Sequence, residues 1–92
     1  MIQVGSIVKH FKFETLTDEE KAQNKYIYRV EDFAIDADDP SNTIVIYRAM
    51  YGKFNLYARP YSSFVEKLDK DKYPGIQQEY RFVEIDKTMC WI

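Results

Sequence analysis

The amino-acid sequence predicts a mainly β fold: a small five-stranded SH3-like barrel, or a strongly curved antiparallel sheet, with one or two short helices. Three observations predict it. Five short runs rich in β-branched and aromatic residues recur at roughly ten-residue spacing. Turn-forming clusters separate them, and one stretch carries a clear helix-start pattern. The chain has 92 residues, 46% of them apolar, with eight Tyr and six Phe. That is the length of a single domain, and it is too hydrophobic for a disordered chain.

Gly5 to Lys12 reads as the first strand, with Ile7, Val8 and Phe11 as its apolar members. Thr17-Asp18-Glu19-Glu20 matches a capping box: the Thr hydroxyl accepts the amide three residues on, and the Glu reaches back. The acids also suit the positive end of a helix dipole, so a short surface helix is predicted near residues 18–23, ending around Asn24. Tyr26 to Ile35 reads as the second strand, Tyr26, Tyr28 and Val30 alternating against Ile27, Arg29 and Phe33. Asp36 to Asn42 is a turn, and Thr43 to Tyr51 is the clearest strand in the chain. Gly52-Lys53-Phe54-Asn55 is a hairpin connection in which Gly52 supplies a positive φ. Leu56 to Arg59 returns, and Pro60, lacking an amide donor, ends that strand or lies on an edge. Tyr61 to Leu68 suits a turn or two of helix, 69–78 is a polar loop, and Tyr80 to Ile85 is the last strand. No repeat or linker interrupts this order, so residues 1–92 read as one domain with an apolar tail at 86–92.

Charge and cysteine content exclude several classes. Thirteen Lys and Arg against fifteen Asp and Glu leave a net charge of −2. Residues 1–46 hold five basic against nine acidic side chains (5 − 9 = −4), and residues 47–92 hold eight against six (8 − 6 = +2). A chain that works by neutralising many phosphates is usually clearly basic, which disfavours nucleic acid as a partner. Cys90 is the only cysteine, so no internal disulfide forms and a cytoplasmic location is expected. No apolar stretch approaches the about 18 residues of a membrane span, and the N-terminus lacks the apolar core of a signal peptide. A domain this small buries only about 60–65% of its unfolded surface, so a protein partner or homodimerisation would add stability.

The most informative stretch is 47–59, which contains Arg48, Lys53 and Arg59, four rings and no acid. Cations beside flat rings hold anions while the rings stack a planar group. Register decides which of them share a face. With Tyr51 opposite Leu56, Arg48 falls opposite Arg59, an unfavourable pairing of like charges. With Tyr51 opposite Tyr57, Ile44, Ile46, Met50, Leu56 and Ala58 form an apolar face, and Tyr47, Ala49, Tyr51, Tyr57 and Arg59 a face of rings with one cation. The second arrangement is preferred. Tyr47, Tyr51, Tyr57 and Arg59, with Arg48 and His10, are therefore the candidate ligand-binding residues. The competing reading packs the tyrosines into a barrel interior and pairs Arg59 with Glu66 as a structural bridge.

His10, the only histidine, titrates near neutrality when unperturbed and is a candidate general base, yet no Ser, Cys or carboxylate motif accompanies it. No C-x-x-C or H-x-x-x-H spacing suggests a metal. Asp36, Asp38 and Asp39 lack the glycine and distal Glu of a calcium loop and read as a solvated turn. Three glycines form no G-x-G-x-x-G, Walker loop or G-x-S-x-G, and Cys90 reads as an inert tail residue. No cofactor is implied.

Lys9-His10-Phe11-Lys12, Tyr28-Arg29-Val30, Val45-Ile46-Tyr47-Arg48-Ala49-Met50-Tyr51-Gly52, and Tyr57-Ala58-Arg59-Pro60 with Phe64 and Glu66 follow one another in an order that resembles the DUF1653 family of short bacterial and phage-associated proteins. The resemblance covers roughly residues 5–85, with 13–24 as an insertion after the HFK block. The second histidine the family often carries has no counterpart here near Asp36. The resemblance implies a compact β fold and supplies neither an assigned function nor catalytic residues.

Three functions follow in order of support. The first is a non-catalytic binding or adaptor module whose Tyr/Arg face meets a protein or an anionic, planar ligand. The second is nucleic-acid binding through the basic-aromatic segment 47–59. The third is a small enzyme using His10 and Arg59.

Overall fold

The computed structural model describes residues 2–85. Five strands, β1 (Ile7–His10), β2 (Ile27–Ile35), β3 (Thr43–Ala49), β4 (Leu56–Pro60) and β5 (Phe82–Ile85), form one antiparallel sheet in the order β4-β3-β2-β1-β5. A 3-10 helix (Phe11–Thr15) and α1 (Asp18–Ala22) fill the β1–β2 connection, and a single helical turn, α2 (Tyr61–Phe64), follows β4. The capping box forms as its residues require: Thr17 Oγ1 accepts the Glu20 N–H, and the Glu20 carboxylate accepts the Thr17 N–H. The first and last strands are shorter than their apolar runs, because Phe11 turns into the 3-10 helix and Tyr80 makes only a bridge to Lys67. The apolar tail lies outside the described residues.

The sheet does not close into a barrel: β4 and β5 remain its two edges. It curls strongly instead. Phe82 on β5 and Tyr47 on β3 are three strand spacings apart in the sheet, about 14 Å if it were flat, yet their ring centroids are 5.5 Å apart. Side chains and loop backbone cover the gap between the edges. Phe64 of α2 stacks on Phe82 at 4.2 Å with planes 10° apart. Beyond α2, the Leu68 N–H donates to the Glu79 carbonyl and the Arg81 N–H to that of Glu66. The core fills this concave side with Val8, Tyr28, Val30, Val45, Tyr47 and Ala49 of the sheet against Phe64 and Phe82.

A β-bulge in β2 sorts the side chains. Val30 pairs with Tyr47, but Asp32 pairs with Ile46 and Phe33 with Val45, so the extra residue is Glu31. The bulge reverses the alternation and brings Phe33 to the concave side with Tyr28 and Val30, against the expected grouping with Ile27 and Arg29. On the convex side Arg29 stands directly opposite Arg48. Like charges so placed are destabilising, and Glu31 neutralises them: its Oε1 accepts Arg29 Nη2 at 2.8 Å and Arg48 Nε at 3.2 Å. The Arg29 hydrogen bond foremost, then Arg48, holds the Glu31 carboxyl below its ordinary range.

The β3–β4 register corrects the expected one. Tyr47, not Tyr51, lies opposite Tyr57. The strands stop short of the turn, leaving six residues, 50–55, as the connection. Gly52 (φ 61°) and Phe54 (φ 56°) take left-handed conformations there, and Arg48 Nη1 donates to the Phe54 carbonyl at 2.9 Å. The slip is four residues, an even number, so the grouping by face survives. Burial by face reverses simple apolarity: Tyr47 is buried, while Leu56 on the aliphatic side is 52% exposed.

Two outcomes test this account. Phe64→Ala removes the ring that bridges the sheet edges and should cost about 3–5 kcal/mol. That is most of the stability of a domain this small, and it is measurable by urea denaturation. Glu31→Gln leaves the Arg29–Arg48 pair uncompensated and should cost about 1 kcal/mol. Because the folded carboxyl is lowered, the parent's advantage over Glu31→Gln is full above the ordinary Glu range and disappears as pH falls through the folded pKa.

Candidate functional site

Strand twist and the 3-10 helix bring together residues that are far apart in sequence. β1 ends at His10, whose extended backbone caps the 3-10 helix, and His10 Nδ1 accepts the Lys12 N–H at 3.1 Å. The neutral ring therefore carries its proton on Nε2. Lys12 is drawn back beside His10 by the same turn. From β4 come Tyr57 and Arg59, which point to the concave side as partners of Tyr47 and Val45. Between these two ends opens a cleft of about 200 Å³. The buried rings of Tyr28, Tyr47 and Phe82 form its base, and the partly exposed Tyr26 and Tyr57 complete its wall.

The cleft lining holds Lys12, Arg59 and His10 and, among the described residues, no carboxylate. Arg59 is anchored but not neutralised. Its Nε donates to the Tyr47 hydroxyl at 3.3 Å and its Nη1 to Ser63 Oγ at 3.1 Å, and among the described residues it forms no ion pair. The expected Arg59–Glu66 bridge does not form. Glu66 takes Arg81 Nη2 at 2.9 Å instead, because the strand-like contact between 66 and 81 sets those two side by side. Half-buried cations without a carboxylate partner are unusual, and among the described residues Arg59 Nη2 has no hydrogen-bond partner.

Burial first, then the charges of Lys12, Arg81 and Arg59, push the His10 imidazole down to about 4. A group so depressed is a poor acid or base at neutral pH. Among the described residues no Ser, Cys or carboxylate lines the cleft beside it. Tyr28 donates to or accepts from the Tyr51 hydroxyl at 3.0 Å. Burial, and then this bond, hold the Tyr28 phenol protonated well above its ordinary range.

Tyr26 has a left-handed backbone, φ 63°. For a bulky residue that costs about 1–2 kcal/mol. It is held there by its carbonyl, which accepts the His10 N–H at 3.0 Å, and by its packing against the core. Strain of this kind gathers at sites where side-chain placement matters.

Of the six residues expected from sequence, His10, Tyr47, Tyr57 and Arg59 meet in the cleft. Tyr51 supports Tyr28 from within the ring cluster and does not line it. Arg48 lies on the convex side, bound to Glu31, so the 47–59 segment offers no continuous basic track. Sequence reasoning missed Lys12, Tyr26, Tyr28 and Phe82 as cleft residues. Lys12 had a signal, two residues from His10 in a block already singled out; Phe82 had none, since only the sheet order brings it close. Asp36 and Asp39 do behave as turn residues, accepting the Asp38 and Ser41 N–H groups. Among the described residues no group of three His, Cys, Asp or Glu side chains is placed to hold a metal.

A family model described as Protein of unknown function (DUF1653) matches residues 6–84. The chain belongs to the DUF1653 family. Every residue lining the cleft falls within that span. No curated protein and no solved structure matches the chain.

The His10 geometry makes a pH prediction. Its folded pKa of about 4 lies below the ordinary 6.5, so the unfolded chain takes up the proton first on acidification. Stability should fall as pH drops from 6.5 towards 4 and the His10 contribution should level off below that. Titration of the His10 ring protons by NMR checks the midpoint, and His10→Gln should flatten this part of the stability curve.

Proposed function

We propose that this DUF1653 chain is a non-catalytic binding module whose concave cleft takes an anionic ligand with a flat portion. One observation carries the reading: Arg59 stands in a cleft walled by tyrosines, anchored by two neutral hydroxyls, and among the described residues neither the lining nor Arg59's own contacts include a carboxylate. An arginine kept only for structure is usually paired; here the carboxylate nearest in sequence, Glu66, is committed to Arg81. The rings supply contact area at low conformational cost, and their hydroxyls supply donors. The depressed His10, and a cleft lining without Ser, Cys or carboxylate among the described residues, speak for binding over catalysis. The separation of Arg48 from Arg59 speaks against an extended nucleic-acid track.

Location belongs to the same reading. Among the described residues no helix is long and apolar enough to cross a membrane. The single cysteine is consistent with the cytosol.

The test uses small aromatic anions, benzoate and phenyl phosphate, with amide chemical shifts as the readout. Shifts should concentrate on residues 10–12, 26–28 and 57–59. Arg59→Met keeps the apolar stem and removes the charge, and it should weaken binding of the preferred probe at least about tenfold. Equal binding by parent and variant, or shifts confined to the convex face, would defeat the proposal.

A further inference from the structure

We infer that the cleft is built for a phosphate monoester carried on a flat ring, in a ligand of mononucleotide size. This rests on the binding reading above and narrows it to one chemistry.

Charge points there first. Two side chains in the lining, Lys12 and Arg59, are cationic, His10 is neutral at pH 7, and among the described residues no acid in the lining offsets them. A carboxylate would neutralise one of these charges. A phosphate monoester, carrying about −1.5 to −2 at neutral pH, matches both. Both cations line the same cleft as His10, Lys12 from the 3-10 helix that follows β1 and Arg59 from β4.

Hydrogen-bond inventory points the same way. Arg59 Nη2, the Lys12 ammonium, His10 Nε2–H and the Tyr57 hydroxyl have no partner among the described residues. All of them are donors, and only the phenolic oxygens accept. A ligand group with three acceptor oxygens uses such a set better than one with two. Arg59 is also pre-oriented: Tyr47 and Ser63 hold Nε and Nη1, leaving the Nη2 end for the ligand. Less side-chain freedom is then lost on binding.

The rest of the ligand is set by the walls and the space. Exposed Tyr57, which packs on buried Tyr47 at 5.7 Å, and Tyr26, strained into place, stand on the same lining. Tyr57 and Tyr26 offer ring faces on which a flat group can stack. About 200 Å³ admits a ring and one anionic group, with the remainder of the ligand left outside. The net charge of −2 and the diversion of Arg48 to Glu31 disfavour a polyanion, which would need charges beyond the cleft.

The experiment is calorimetric titration of the intact chain with adenosine 5′-monophosphate, phenyl phosphate, benzoate, adenosine and inorganic phosphate. The two phosphate monoesters should bind at least about tenfold tighter than benzoate, adenosine or free phosphate. Tighter binding by the nucleotide than by phenyl phosphate assigns the ring to a base; the reverse assigns it to a simple aryl group. Lys12→Gln, a change at an exposed side chain, should weaken the monoesters about tenfold. Affinity for the monoesters should rise between pH 5 and pH 7, following their second ionisation near about 6. Benzoate binding as tightly as phenyl phosphate, or indifference to Lys12→Gln, overturns the phosphate assignment while the cleft remains a binding site. Failure of every probe to bind overturns both.

Discussion

The structure depends on one requirement: a five-stranded sheet that does not close must still bury its concave face. Strand pairing cannot do it, because β4 and β5 are both edges. The stacked rings of Phe64 and Phe82 do it instead, one from the single turn after β4 and the other from β5. Tyr28 and Tyr47 pack edge-on against Phe82, so the curl of the sheet and the ring cluster enforce each other. An edge-to-face or offset geometry is what the quadrupoles of such rings favour. Aliphatic side chains at the same places would leave the span between the edges unfilled.

That solution creates the cleft as a by-product. Rings fill the base of the concavity, and their long axes leave room where the chain enters the 3-10 helix and where β4 passes. The cations at its rim differ from those on the convex side in one respect. Arg29 and Arg48 share Glu31, whereas Arg59 leans on hydroxyls. The fold thus neutralises charge where it serves the sheet and leaves it available where the aromatic walls open.

Residues 13–24 serve the same architecture. Glu14, in the 3-10 helix, accepts the N–H groups of Gln77 and Gln78, and its carboxyl is lowered chiefly by the Gln77 bond. It clasps the polar loop that precedes β5 and so helps set Phe82 against Phe64. Gln78 extends the clasp by donating to the carbonyls of Lys9 and Tyr80. What reads in sequence as a family-divergent insertion is, in space, the tie between the first and last strands.

Local chemistry alone determined much of this protein. The capping box at Thr17, the positive φ of Gly52, the Asp36 turn and the strand cores all follow from interactions within a few residues, and each forms as its residues dictate. The grouping of Tyr47, Tyr57 and Arg59 on one face was legible too, because strand alternation has period two and an even slip preserves it. Tertiary structure decided the rest. The bulge at Glu31 that turns Phe33 inward answers to the Arg29–Arg48 pairing across strands. Whether the sheet closes, which face is buried, and which distant residue meets Arg59 depend on contacts between the two ends of the chain. Those contacts are separated by up to 78 positions of sequence (Ile7 to Ile85, 85 − 7 = 78), and no local preference encodes them.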